Sequence, residues 1–180
     1  MSKERRIIFL VAFVILIHAT TLEQLPRFSS KDMEGKPVTT EDLLKTPRVY
    51  ILDFWALWCR DCLQFMPHLQ ELKTKYKEAL LIVSVNNDTT QKAPEVRSYI
   101  KGKKYDFLVL LDSDFKVRNL LKIQFYPTLL VVDHTGKIVY RHSGPTKKEI
   151  LEKEIEELIQ KIPQKQKEAS PEKAQKKDDA

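Results

Sequence analysis

The sequence is short of cysteine: Cys59 and Cys62 are the only two among 180 residues. A four-thiolate structural zinc site is therefore out of reach within one chain. No further pair exists to build a structural disulfide framework, so whatever these cysteines do, they do together. Glycine is also scarce, at four residues, which argues against a turn-rich all-β fold. There is no stripe of Lys and Arg interleaved with aromatics. The chain is basic, with a net charge of +6, but its lysines are scattered among glutamates, which argues against a nucleic-acid surface. No apolar run reaches the roughly 17–25 residues that a helix needs to span a bilayer core.

The longest apolar run, Ile7 to Ile17, follows the basic head Met1–Arg6 and precedes His18, Ala19, Thr20 and Thr21. Basic head, apolar run and small residues form the layout of a secretory signal. The shortness of the run favours a cleaved signal peptide ending at Ala19. The weak cleavage-site chemistry keeps a second reading open, an uncleaved membrane anchor lengthened by His18 to Leu25. In both, residues 1–21 form the targeting segment and the positive head stays inside, so the rest of the chain is expected beyond the cytoplasmic membrane, periplasmic or otherwise extracytoplasmic.

Residues 22–161 are expected to form one domain. Leu22 to Thr46 reads as a polar lead-in, with turn chemistry at Gly35 and Pro37 and a short capped helix at Thr40 to Leu44. Arg48 to Trp55 reads as a buried strand in which the carboxylate of Asp53 is the odd member. Cys59 to Lys77 has apolar residues at helical spacing, with a kink expected at Pro67. Further strands are expected at Leu80 to Val85, Phe107 to Leu111, Pro127 to Val132 and Lys137 to His142, and helices at 93–101, 114–123 and 147–161. Gly136 suits the positive φ of a hairpin turn between the last two strands. This alternation calls for an α/β fold with a mixed central sheet flanked by helices. Residues 162–180 are polar, mixed in charge and without an apolar face, the composition of a disordered tail.

The chemistry centres on Trp58-Cys59-Arg60-Asp61-Cys62, where the first buried strand hands over to a helix. A helix N-terminus offers unpaired N–H groups and partial positive charge. Both favour the thiolate, which is the nucleophile of disulfide exchange. A C-x-x-C pair beside a βαβ pattern is the cue for a redox motif. Residues 48–62 (RVYILDFWALWCRDC), Pro67 in the helix and Tyr126-Pro127-Thr128 before a strand together resemble the thioredoxin superfamily. The segments KDMEGKPVTTEDL and VLLDSDFKVRNLLKIQFYPTLLVVDHTGKIVYRHSGP look like its exported TlpA/ResA branch. The resemblance spans roughly residues 25–160.

That resemblance implies a thioredoxin-like three-layer sandwich and an exported thiol–disulfide oxidoreductase. Its partners would be protein disulfides, such as apocytochrome c or copper-site assembly proteins, with a membrane or soluble thiol donor to recycle it. It implies no organic cofactor. Cys59 would attack and Cys62 would resolve. Pro127 would be the cis-proline facing the pair, Asp53 a buried proton acceptor for Cys62, and Trp58, Tyr126 and Gly144 the lining of the substrate groove. Core packing without catalysis is the plainer reading of Asp53, and core burial that of Trp58. The chain departs from the family pattern at Arg60 and Asp61, whose charges oppose each other at Cys59 and leave the redox direction unsigned. It also departs at Tyr126, which is bulkier than usual before that proline.

Three rival readings are weaker. Two thiolates suit Cu(I), so a copper-binding chaperone is the alternative, but no histidine is well placed; His68, His134 and His142 read as surface or turn residues. A thiol peroxidase of this superfamily would carry Thr where Ala56 stands. An interaction module built on the tail would leave the cysteines unexplained. Asn87-Asp88-Thr89 matches a glycosylation acceptor and is read as coincidence.

Overall fold

The computed structural model describes residues 23–163. The expected export segment, and residues 164–180 of the expected tail, lie outside the described residues. Ile162, assigned to that tail, instead continues the apolar face of the last helix and is buried in the core. Seven strands form one mixed sheet in the order β2-β1-β5-β4-β3-β6-β7. The parallel centre is β3 (Val49–Trp55), β4 (Leu80–Asn86) and β5 (Leu108–Leu111). Every residue of β3 is buried. This explains its nearly continuous apolar and β-branched composition, since a central strand covered on both faces has no polar side to show. Strand β6 (Thr128–Val132) runs antiparallel to β3, and β7 (Ile138–Ser143) folds back on β6. Gly136 turns this hairpin at φ +86°. Asp133 Oδ1 accepts from the backbone N–H groups of Thr135 and Lys137 across the same turn.

The polar lead-in is not merely a lead-in. It contains β1 (Ser29–Asp32) and β2 (Pro37–Thr39), an antiparallel hairpin that continues the sheet beyond β5. Its side chains are mostly exposed or half-exposed, so no alternation of apolar residues announces the strands. Backbone pairing against the edge of β5 makes them, and it caps an edge that would otherwise stay open. The turn is closed by Asp32 Oδ1, which accepts from the N–H groups of Glu34 and Lys36. The helix that follows, α1 (Thr40–Leu44), is capped one residue earlier than expected. Thr39 and Asp42 exchange the two hydrogen bonds of a capping box.

Helices α2 (Arg60–Tyr76), α3 (Ala93–Lys103) and α5 (Lys148–Gln160) cover one face of the sheet. Met66, Leu69, Val96, Ile100, Leu151 and Ile155 pack there on Val49, Ile51, Trp55 and Ile82. Helix α1 and the short α4 (Lys116–Leu120) cover the other face, where Leu43, Val117 and Leu121 meet Tyr50, Leu52, Phe54, Val83 and Val85. The three-layer α/β sandwich is the fold the residue pattern called for. Helix α2 runs unbroken through Pro67, which sits on the exposed side. The helix expected at 114–123 is confined to Lys116–Leu120, because Phe115 and Lys122 on either side take positive φ.

Polar side chains tie together the C-terminal ends of β4 and β5. Asp112 is buried, and its carboxylate accepts from the N–H groups of Val117 and Arg118 and from Asn87 Nδ2. Burial raises its pKa above the ordinary value against these three donors. Asp88 Oδ2 accepts from Leu57 N–H at 2.7 Å and from Asn86 Nδ2 at 2.9 Å, so β4 holds the loop that leads to Cys59. Asp112→Ala strands three donors at once. We expect a loss of about 2–4 kcal/mol of unfolding free energy, read as a lower urea midpoint with an unchanged slope.

Candidate active site

Cys59 and Cys62 are joined as a disulfide with a Cα–Cα distance of 5.3 Å. Cys59 is the N-cap of α2, in extended conformation, and its Sγ accepts from Cys62 N–H at 3.2 Å. The loop Ala56–Trp58 makes this possible by turning the chain out of β3, and Cys59 N–H closes that turn on Ala56 O at 3.0 Å. The pair is largely covered, with Cys59 at 6% exposure and Cys62 at 2%. Arg60 and Asp61 point to solvent in the first helical turn.

Trp58, adjoining Cys59, is 69% exposed, which removes it from the core. Its indole meets Tyr126 edge-on, with ring centroids 5.5 Å apart. The Tyr126–Pro127 bond is cis. Pro127 O accepts from Gly144 N–H at 2.8 Å, and Gly144 holds φ +91°. Thr128 Oγ1 donates to Phe125 O. The Trp58–Tyr126 contact thus joins the loop that leads to Cys59 to the loop before β6, and Gly144 is tied to that second loop through Pro127 O.

Asp53 lies inside the sheet, at 2% exposure. Side chains alternate along a strand, and its neighbours Ile51 and Trp55 belong to the same core as Cys59, Cys62 and Met66. The carboxyl therefore shares the face on which the disulfide packs. Asp53 pairs with Ser84 on β4 and with Leu129 on β6. Its Oδ2 and the Ser84 hydroxyl are both buried with no partner among the described residues. Burial pushes the Asp53 pKa up from 3.8 to about 7.

The residue pattern did not single out Ser84, Asp112, Phe115 or Arg118. Asn87 carried a misleading signal. It matched a glycosylation pattern, yet its side chain is buried and donates to the carboxylate and the carbonyl of Asp112. A usable signal did exist, because polar residues at the C-terminal ends of adjacent parallel strands share one edge of an α/β sheet, where its sites lie. Of the histidines, His142 is held by Glu154 at 2.7 Å, and His68 lies beside Phe65 on α2, in a groove with Asp61 and Pro145.

Comparisons with known proteins agree with this geometry. Residues 21–141 match the AhpC/TSA family model. The chain is similar to a thiol-disulfide oxidoreductase ResA of Bacillus cereus, at 33% identity over 141 residues, covering 78% of this chain and 77% of the relative. It is also similar to the thioredoxin-like protein YneN of Bacillus subtilis (strain 168), at 33% identity over 133 residues, covering 73% and 76%. Among solved structures, a putative thiol:disulfide interchange protein DsbE from Chlorobium tepidum superposes with a TM-score of 0.68 at 29% identity, covering 76% of this chain and 96% of that one. A thioredoxin-fold sheet, a disulfide at the head of a helix and these matches converge: the chain belongs to the AhpC/TSA family and is a ResA-like thiol–disulfide oxidoreductase.

Proposed function

We propose that this enzyme works outside the cytoplasmic membrane and reduces disulfides of exported proteins, apocytochrome c or copper-site assembly proteins among them. The observation that carries the reading is the Cys59–Cys62 disulfide at the N-terminus of α2, beside the Trp58–Tyr126 edge and the cis-proline loop. The basic head and apolar run of the first 17 residues support export. No helix among the described residues is long and apolar enough to cross a membrane, so an anchor, where one is kept, would come from that segment. A copper-chaperone role gains no support from the histidines, since His142 is engaged by Glu154.

In the reduced enzyme, the Cys59 thiolate attacks one sulfur of the substrate disulfide. The substrate S–S bond breaks, and one substrate thiolate leaves. Cys62 then gives up its proton and attacks Cys59 Sγ, releasing the second substrate thiolate and closing the enzyme disulfide. The substrate gains two electrons and the enzyme loses two; a dithiol donor returns them. The helix N-terminus favours the Cys59 thiolate, in part through the Cys62 N–H aimed at its sulfur. Asp53 takes the Cys62 proton, either directly or through a water. A pKa near 7 suits that exchange, because the group both accepts and releases a proton close to neutral pH. Tyr126 offers its backbone N–H and C=O to an extended substrate segment, since neither takes a backbone partner among the described residues.

The reduction potential of the pair tests the direction of transfer. A value near about −270 mV in defined thiol–disulfide buffers is expected for a reductant, and one near about −120 mV would make the protein a disulfide donor instead. Cys59→Ser should abolish exchange. Cys62→Ser should accumulate a mixed disulfide with substrate, visible as a thiol-sensitive mass shift.

Asp53 generates a pH prediction with a definite sign. Its folded pKa is raised, so stability is fully present below about pH 4 and is lost as pH rises toward about 7, where the buried carboxyl ionises. Asp53→Asn removes this loss. From about pH 4 to about pH 8 the variant should gain about 2–4 kcal/mol relative to the parent in urea unfolding. The same variant should slow single-turnover closure of the enzyme disulfide about a hundredfold at about pH 7 and lose the inflection near that pH.

A further inference from the structure

Beside the disulfide lies a groove of about 590 Å³, lined by Trp58, Asn87, Phe115, Arg118, Gln124 and Tyr126, with Asp88 and Lys92 at its wall. We propose that this groove binds an acidic side chain of the substrate protein, next to the substrate cysteine, with Arg118 as its counter-charge. The proposal rests on the disulfide-exchange reading above and deepens it by naming a substrate class.

The Arg118 guanidinium is held by aromatic rings, 5.6 Å from the Phe115 centroid and 5.7 Å from that of Tyr126. Such contacts fix the plane of a guanidinium and leave its N–H fork as a bidentate carboxylate receptor. Arg118 makes no ion pair among the described residues, whereas Lys92, Lys116 and Arg141 each pair with an acid. Two nearby acids are tied to neutral donors and not to Arg118: both Asp112 oxygens accept from N–H groups, and Asp88 Oδ2 accepts twice. Among the described residues, Arg118 is therefore the lining cation of this groove without an acid partner.

One further observation points to a ligand. Phe115 sits at φ +58°, a conformation that is costly for a bulky side chain, and the residue stays 37% exposed. Strain of this kind collects where a surface is shaped for binding. Apolar rings and a guanidinium together fit an acidic residue within a peptide better than a free anion.

The test uses the reduced enzyme and a set of synthetic peptide disulfides. Within the set, Glu or Gln occupies in turn each of the two positions on either side of the bridged cysteine. At one or more positions the parent enzyme should prefer Glu by roughly tenfold in kcat/KM. Arg118→Gln should bring that ratio to about one, and Arg118→Glu should reverse it. A ratio between two substrates in one preparation does not depend on the fraction folded, so misfolding cannot imitate the result. Equal rates for Glu and Gln peptides at every position would overturn the subsite, as would a preference that survives Arg118→Gln. Failure of the parent enzyme to reduce any of the peptides would instead overturn the disulfide-exchange reading, and the subsite with it.

Discussion

The hydrogen bond from Cys62 N–H to Cys59 Sγ is the contact on which the functional arrangement depends. It forms because Cys59 stands at the N-cap of α2, where the first N–H groups have no helical partner. A sulfur placed there serves as capping acceptor and reactive centre at once. Everything around it keeps that N-cap in place. Strand β3 is buried on both faces and delivers the chain to the sheet edge, and Asp88 grips Leu57 N–H one residue before Trp58. The sulfur pair is largely covered, and the residue before Cys59 is an exposed indole.

Asp53 carries the opposing constraint. A carboxyl with an unpartnered oxygen in the middle of a sheet works against stability once it ionises. The sheet tolerates it because the group stays protonated through most of the acidic range. That tolerance leaves a titratable carboxyl, with a pKa of about 7, in the core on which the disulfide packs. Ser84, paired with it in register on the neighbouring strand, also has a buried hydroxyl without a partner among the described residues. The stability cost and the raised pKa come from one fact, the low polarity around the carboxyl.

The two sides of the site differ in character. On the side of α2 and the loop after Gly144, His68, Phe65, Asp61 and Pro145 form a smaller groove of about 340 Å³. On the side of β4 and β5, aromatic rings and Arg118 form the larger one. The difference originates in the polar ties at the strand ends. Asp112 anchors the N–H groups of Val117 and Arg118, and so sets where the Phe115 and Arg118 side chains emerge. The two grooves therefore present different chemistry.

The order of strands and helices from Val49 to Gln160 was legible in the residue pattern, because buried strands and amphipathic helices must repeat their apolar residues at fixed periods. The C-x-x-C pair and Asp53 stood out for a related reason, since each is a chemical type out of keeping with its neighbours; Pro127 was picked out by the family resemblance alone, and its bond to Tyr126 is cis. The β1–β2 hairpin was not legible. Its side chains face solvent, and only the open edge of β5 tells those residues to extend. Nor was the groove at Arg118, which gathers residues from the Trp58 loop, the end of β4, the start of α4 and the cis-proline loop. By itself the sequence determined the fold class and the position of the reactive pair, since both follow from local periodicity and spacing. Tertiary structure alone decided what surrounds the pair, because the Arg118 groove and the ties made by Asp88 and Asp112 join segments far apart in the chain.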